Sequence, residues 1–164
     1  MNLLIIGAGG HGKVVKEVAE SLGIYEKIDF VDDNAEFAVG KVDDLQRLKS
    51  DYDAAFVGIG NNKLRQDIMV KLQAYGYQIP VLIHPTAYVS KSAQVSYGTV
   101  VEPKAIVNAN SIVKAGCIIS VGAIVDHDVV LESCVHVNAG AICKAGSTVA
   151  ETVKLEAGQV VKGY

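Results

Sequence analysis

The chain has no tryptophan, and aromatic residues make up only 6% of its 164 residues although half are hydrophobic. A core without large rings must be filled by Val, Ile, Leu and Ala, which favours parallel sheet or a solenoid over an aromatic-rich sandwich. Excess positive charge is also missing: the formal net charge is −3. With no basic stripe, nucleic acid and anionic membrane are poor partners. Cysteine is scarce and odd in number, Cys117, Cys134 and Cys143, with no CxxC pair. That argues against both a zinc ribbon and a closed disulfide framework, and fits small side chains of a reduced, cytoplasmic protein. The opening MNLLIIGAGGHGK breaks at glycines before reaching the length of a signal or membrane helix, so no targeting segment is expected. The chain length allows one ordinary domain or two small ones.

What is present divides into two patterns. In the first, the apolar run Asn2–Ile6 leads into Gly7-Ala8-Gly9-Gly10-His11-Gly12-Lys13, and Val14, Val15, Val18, Ala19 and Leu22 then recur at helical spacing. Strand, glycine turn and helix are expected. A second strand, Ile28–Val31, ends in Asp32-Asp33; a helix over Val42–Lys49, a strand over Ala54–Ile59, a helix over Leu64–Tyr75 and a strand over Ile79–Ile83 follow. Such alternation predicts a small parallel sheet with helices on its faces, a Rossmann-like unit over 1–82. Gly7, Gly9 and Gly12 fit GxGxxG, which lets backbone amides approach a pyrophosphate at a helix N-terminus. The same glycines would also serve a tight turn with no ligand. About 80 residues suffice for roughly one mononucleotide half, so a nucleotide or nucleotide-sugar fits better than a dinucleotide, although Asp32 stands where an NAD site places its acid.

The second pattern has a period of six. Ile83, Val89, Val95, Val101, Val107, Val113, Ile119, Val125, Leu131, Val137, Cys143, Val149, Leu155 and Val161 stand at every sixth position, thirteen of the fourteen aliphatic and none displaced by an insertion. The position four later is mostly small, as at Ala87, Ala93, Thr99, Ala105, Ser111, Cys117, Ala123, Ala141 and Ser147. This is the signature of a hexapeptide parallel β-helix over 83–164, three hexads to a triangular coil. Flat outer faces of such a prism can pack on copies of themselves, which predicts a homotrimer with clefts between subunits.

Within this frame lies Asp126-His127-Asp128, one imidazole between two carboxylates. A lone histidine on a solenoid corner is ordinarily an exposed turn residue; flanking acids give it a second meaning, that of a base. His84, before Pro85 at the junction of the patterns, reads as structural, and Cys143, at an inward position, as core. Zinc chemistry of the kind found in some hexapeptide solenoids needs three histidines, and only His127 and His136 fall within the coils proper.

GAGGHGKVV at the start, VDD at 31–33, GIGNN at 58–62, IHPTAYVS at 83–90 and VGAIVDHDVVLESCVHVNAGA at 121–141 together resemble the bacterial nucleotide-sugar acetyltransferases of the sialic-acid O-acetyltransferase-like and UDP-4-amino-sugar N-acetyltransferase type. The likeness covers nearly the whole chain. It implies a Rossmann-like domain followed by a left-handed β-helix, with acetyl-CoA as co-substrate, no metal, and a UDP-amino-sugar as acceptor in glycan biosynthesis. By position, the resemblance makes His127 the general base and Asp128 the carboxylate that raises its basicity. It gives His136, Ala145, Gly146 and Ala157 to acetyl-CoA, and Ala8, Gly9, Gly10, His11, Asp32, Asp33 and Gly60 to the nucleotide sugar.

The chemistry is consistent with these roles. An acceptor ammonium must lose a proton before attacking a thioester, an imidazole of pKa near ~6.5 can take it, and a neighbouring carboxylate stabilises the resulting imidazolium. A backbone amide around Ala145 or Gly146 is the expected oxyanion donor. Hydroxyl and amino acceptors would use the same base, so O-acetylation competes with N-acetylation. Compared with the family pattern, Ser120 stands where Asn is common, Ala150 replaces an expected turn glycine, and the solenoid is shortened. Weaker acetyl-CoA binding is expected, with a non-catalytic nucleotide-sugar-binding trimer as the alternative.

Overall fold

The computed structural model describes Met1–Tyr164, which separates into two compact units, Met1–Pro80 and Val81–Tyr164. In the first, β1 (Asn2–Ile6), β2 (Lys27–Val31) and β3 (Ala54–Val57) form a parallel sheet in the order β2-β1-β3, with α1 (Gly10–Leu22) connecting β1 to β2 and α3 (Asn62–Ala74) following β3. The central strand β1 is buried from Leu3 to Ile6, which is why its sequence is continuously apolar rather than alternating. The helix expected over Val42–Lys49 is a 3-10 turn, Val42–Asp44, running into the single-turn α2, Leu45–Leu48.

A strand over Ile79–Ile83 does not form in this sheet. Gln78 makes an isolated bridge to Ala54, Pro80 follows without an N–H to donate, and Leu82–Ile83 pairs with Val100–Val101 in the second unit. The apolar run from Ile79 to Ile83 therefore serves two different structures.

The second unit is a parallel β-helix built from thirteen two-residue strands, β4 (Leu82–Ile83) to β16 (Val160–Val161). Each strand pairs with one eighteen residues away, for example Ile106↔Ile124↔Ile142, so three hexads complete a coil. Three sheets result. The first face holds Leu82, Val100, Ile118 and His136; the second Tyr88, Ile106, Ile124, Ile142 and Val160; the third Gln94, Ile112, Val130 and Thr148. The inward residues from Val101 to Leu155 are buried and pack with the small column, Ala105, Cys117, Ala123 and Ala141 among them. Cys143 is in this core, and burial pushes its thiol up to about 11, outside the range of a reactive thiolate.

The corners obey a rule the sequence pattern did not foretell. From Gly98 to Gly158, every sixth residue has positive φ, with glycine at 98, 116, 122, 140, 146 and 158 and Lys104, Asn110, Asp128, Cys134 and Thr152 at the rest. The turn residue of the penultimate coil is accordingly Thr152, not Ala150. A left-handed backbone costs about 1–2 kcal/mol for most side chains and least for Asn and Asp, whose polar groups bond locally. Asp128 is thus one of the few non-glycine types suited to its corner.

Candidate active site

His127 and Asp128 occupy the corner between the second and third faces, after Ile124–Val125 and before Val130–Leu131. His127 Nδ1 lies 2.7 Å from Asp128 Oδ2, and the two side chains are 45% and 47% exposed, so the pair is open to a ligand. Asp126 is turned to the backbone instead. Its Oδ1 accepts from His127 N–H at 2.7 Å and from Asn108 Nδ2 at 3.2 Å, which fixes the entry to the corner. From the coil before, Ser111 Oγ donates to Asp126 O at 2.6 Å and accepts from Val129 N–H at 3.2 Å, clamping the peptides on either side of the pair.

These contacts set the electrostatics. The hydrogen bond to Asp128 raises the His127 pKa above its usual 6.5, with Asp126 adding a weaker pull, and Asp128 is held below the usual carboxylate range by His127 and then Asn110. With Nδ1 engaged by the carboxylate, Nε2 is left as the outward nitrogen that can accept a proton. Orientation, tautomer and basicity are therefore all set by one neighbour.

The residues assigned to acetyl-CoA separate into two groups. Ala145 and Gly146 lie one coil beyond His127 and Asp128 on the same corner, where Gly146 N–H donates to His127 O at 3.1 Å. The Gly146 amide is thus engaged within the solenoid, while Ala145 N–H helps hold the Asp126 carboxyl low. His136 is on the first face, 8% exposed, with Nε2 2.9 Å from Ser120 Oγ. Ser120, the departure from the family pattern, therefore supports His136 and not His127. Ala157 lies at the exposed corner between the first and second faces. His84, as expected, closes a local turn, its Nδ1 accepting from Thr86 N–H at 3.1 Å.

In the first unit, α1 is entered through Gly9, with neither a side-chain cap nor an acid in its first turn, so its amide end is uncompensated. Its glycines differ in purpose. A Cβ on Gly12 would sit 1.9 Å from Gly7 O, whereas Cβ atoms on Gly9, Gly10 or Gly60 would meet nothing within 4 Å. Gly12 is demanded by helix–strand approach; Gly9 and Gly10 leave open space above a helix N-terminus. His11 is mostly buried, and burial together with the Arg65 charge lowers its pKa to about 4, which keeps it neutral. Asp32 braces the glycine loop: Oδ2 accepts from Ala8 N–H and Oδ1 from Asn34 N–H, each at 2.8 Å, and these bonds hold its pKa low. Asp33 Oδ1 accepts from Val42 N–H at 3.0 Å. Both acids line a cavity of about 330 Å³ with Gly7, Ile59, Leu64 and Lys71.

Three groups escaped the sequence reading: Ser111 beneath the pair, Asn110 beside Asp128, and Tyr164, whose Oη reaches Asp128 Oδ2 at 3.4 Å. An alignment of the chain on itself at eighteen residues, rather than six, would have placed 110, 128, 146 and 164 in one column.

Residues 2–72 match the PglD N-terminal domain family. The chain is 34% identical over 110 residues, 61% of its length, to UDP-N-acetylbacillosamine N-acetyltransferase of Bacillus subtilis (strain 168), a stretch that spans half of that relative. The acetyltransferase domain of PglB from Neisseria gonorrhoeae FA1090, solved with acetyl coenzyme A, is 39% identical with a TM-score of 0.94, over 99% of this chain and 82% of that one. A variant of perosamine N-acetyltransferase from Caulobacter crescentus, solved with CoA and GDP-perosamine, is 30% identical with a TM-score of 0.91, over 99% and 89%.

Proposed function

We propose that this chain, which belongs to the nucleotide-sugar acetyltransferase family, moves the acetyl group of acetyl-CoA onto the amino group of a nucleotide-activated amino sugar, with His127 as general base. The observation that carries the reading is the 2.7 Å contact between His127 Nδ1 and Asp128 Oδ2 on an exposed corner. Nε2 removes a proton from the acceptor nitrogen, the nitrogen attacks the thioester carbonyl, and the tetrahedral intermediate collapses with loss of the CoA thiolate, which is reprotonated. The carboxylate stabilises the imidazolium throughout and needs no proton itself. No covalent bond to the protein forms.

In this reading the nucleotide sugar is held by the first unit, its diphosphate over the uncapped start of α1 and the open strip at Gly9 and Gly10, with His11 and Gly60 beside it. Asp32 and Asp33 shape the pocket through the backbone bonds they accept. His136, Ala157, Ala145 and Gly146 form the walls for acetyl-CoA. Glycan biosynthesis in the cytoplasm is the setting, which suits three buried, unbridged cysteines; no helix is long and apolar enough to cross a membrane.

A homotrimer belongs to the same proposal. His127 sits at the corner between the second and third faces, while His136 lies on the first, across the prism. A donor site using both histidines requires the corner of one copy against the first face of another, which a three-fold arrangement supplies.

His127→Ala should lower turnover about 10²–10⁴-fold with little change in acetyl-CoA affinity. Thiol release from acetyl-CoA with a UDP-amino-sugar acceptor measures the first and calorimetry the second. Turnover within a few fold of the parent chain would sink the base assignment.

A further inference from the structure

The column at the base's corner is continued by a residue to which the reaction assigns nothing. Asn110, Asp128 and Gly146, all of the left-handed corner series, and then Tyr164 follow one another at eighteen-residue spacing. Tyr164 is two coils from Asp128, and at such a distance neighbouring side chains would ordinarily be separated by the rung between them. That rung is Gly146. A Cβ there would fall 1.9 Å from Tyr164 Cε1, so the ring fills the place a side chain at 146 would take. Gly163 is wedged in the same way, its own Cβ position lying 1.9 Å from Ala145 O, and Tyr164 N–H donates to Ala145 O at 3.2 Å. The aromatic ring is thus laid along the corner by a backbone hydrogen bond and two missing side chains.

We propose that Tyr164 is a positioning residue of the His127–Asp128 pair, its phenol donating to Asp128 Oδ2 across Gly146. The inference rests on His127 being the base. Oη lies 3.4 Å from Asp128 Oδ2 and 3.5 Å from His127 Nδ1, and the two rings are 6.2 Å apart between centroids. These are long distances for hydrogen bonds, of the kind that tighten when a ligand closes an open site. The oxygen that Tyr164 reaches is the one that holds His127 Nδ1, so the phenol and the imidazole share one acceptor. Asn110 approaches the same carboxylate from the coil before, and Asp128 is bracketed on both sides along the column. A carboxylate so held cannot swing away from the imidazole as the proton arrives.

Sharing has a second effect. A phenol O–H bonded to Asp128 takes up part of the negative charge that would otherwise act on His127, and so moderates how far the base is raised. The groups facing the ring are Asp128, Asp126 and Tyr164, with Asn108 and Asn110 bonded to the two acids. Of these Tyr164 is the most exposed, 83% accessible, and can be altered without removing either member of the His127–Asp128 pair.

The experiment compares the parent chain, Tyr164→Phe and His127→Ala. The His127 ring is titrated by NMR in the first two, and the pH dependence of acetyl transfer to a UDP-amino-sugar is measured in all three. Loss of the phenol should raise the His127 pKa by about half a unit, move the acidic limb of the rate profile up with it, and lower plateau kcat about threefold, with KM for both substrates unchanged. A purely structural ring would leave the titration where it was. Identical His127 titrations in the parent and Tyr164→Phe, with His127→Ala inactive, overturn the role of Tyr164 and leave the base assignment standing. Normal turnover by His127→Ala overturns the base assignment instead, while the two ring titrations still decide whether Tyr164 and Asp128 interact.

Discussion

The two units use glycine for different physical ends. In the α/β unit the critical glycines answer a shortage of space: Gly12 and Gly58 approach so closely that a Cβ on Gly58 would lie 2.8 Å from Gly12 Cα. In the solenoid they answer a backbone angle, and Cβ atoms on Gly122, Gly140 and Gly158 would meet nothing within 4 Å. A shortage of space admits no other residue. An awkward angle admits several at modest cost, and five of the eleven corners from Gly98 to Gly158 are not glycine. The solenoid can therefore carry functional side chains on its turns, as at Asp128, whereas Gly9 and Gly10 in the α/β unit present backbone alone.

The sharpest way to break this contrast is at Gly12. Gly12→Ala should destabilise the first unit by about 3 kcal/mol or more, because the methyl meets the Gly7 carbonyl and neither backbone can yield freely. Chemical denaturation followed by far-ultraviolet dichroism measures this, and a loss below about 1 kcal/mol would mean that the helix and strand are not locked at that point. Two residues earlier the expectation reverses. Gly10→Val has open space, so unfolding should shift by less than about 1 kcal/mol beyond the cost of valine at a helix start, while affinity for a UDP-amino-sugar falls at least tenfold as the side chain fills the strip above the amides. Unchanged affinity in calorimetry would remove Gly10 from the nucleotide-sugar site.

The same contrast explains what could be read from the sequence. Every inward hexad position between Val101 and Leu155 is buried because, with no insertion, the surroundings of each side chain are set by neighbours six and eighteen residues away. The α/β unit follows its pattern less closely. Its run from Ile79 to Ile83 has the composition of a strand, yet Pro80 and the pull of the first coil divide it. At the site, the His127–Asp128 pair was legible because its members are adjacent in sequence. The roles of Ser111, Ser120, Asn110 and Tyr164 were not, because each acts on a residue fifteen to thirty-six positions away, and partners at that range become visible only once the coil length fixes the columns. The occupied amide of Gly146 was hidden for the same reason: what it bonds is one coil away.

The smallest expected effect tests whether the corner carries chemistry independently of its shape. Asp128→Asn retains a residue type that tolerates a left-handed backbone, so the coil should fold as before, while the negative charge facing Nδ1 is lost. In the parent chain the His127 pKa lies above the usual 6.5, chiefly through Asp128. In its proposed role as base His127 works deprotonated, so activity should rise with pH through that value, with the acidic limb to the alkaline side of an unperturbed imidazole. Removing the charge moves the limb down by up to about one unit, leaving Asp126 as the remaining pull. Plateau turnover falls as well, since an amide stabilises the imidazolium less and can hold the ring in the wrong tautomer. The folded-state stability changes in a linked direction: a raised histidine contributes stability present below its unfolded pKa and lost as pH rises through the folded value, so Asp128→Asn should flatten the pH dependence of unfolding near neutrality. A rate profile whose acidic limb does not move would mean that the base takes its basicity from somewhere other than the residue the solenoid has bent its backbone to hold.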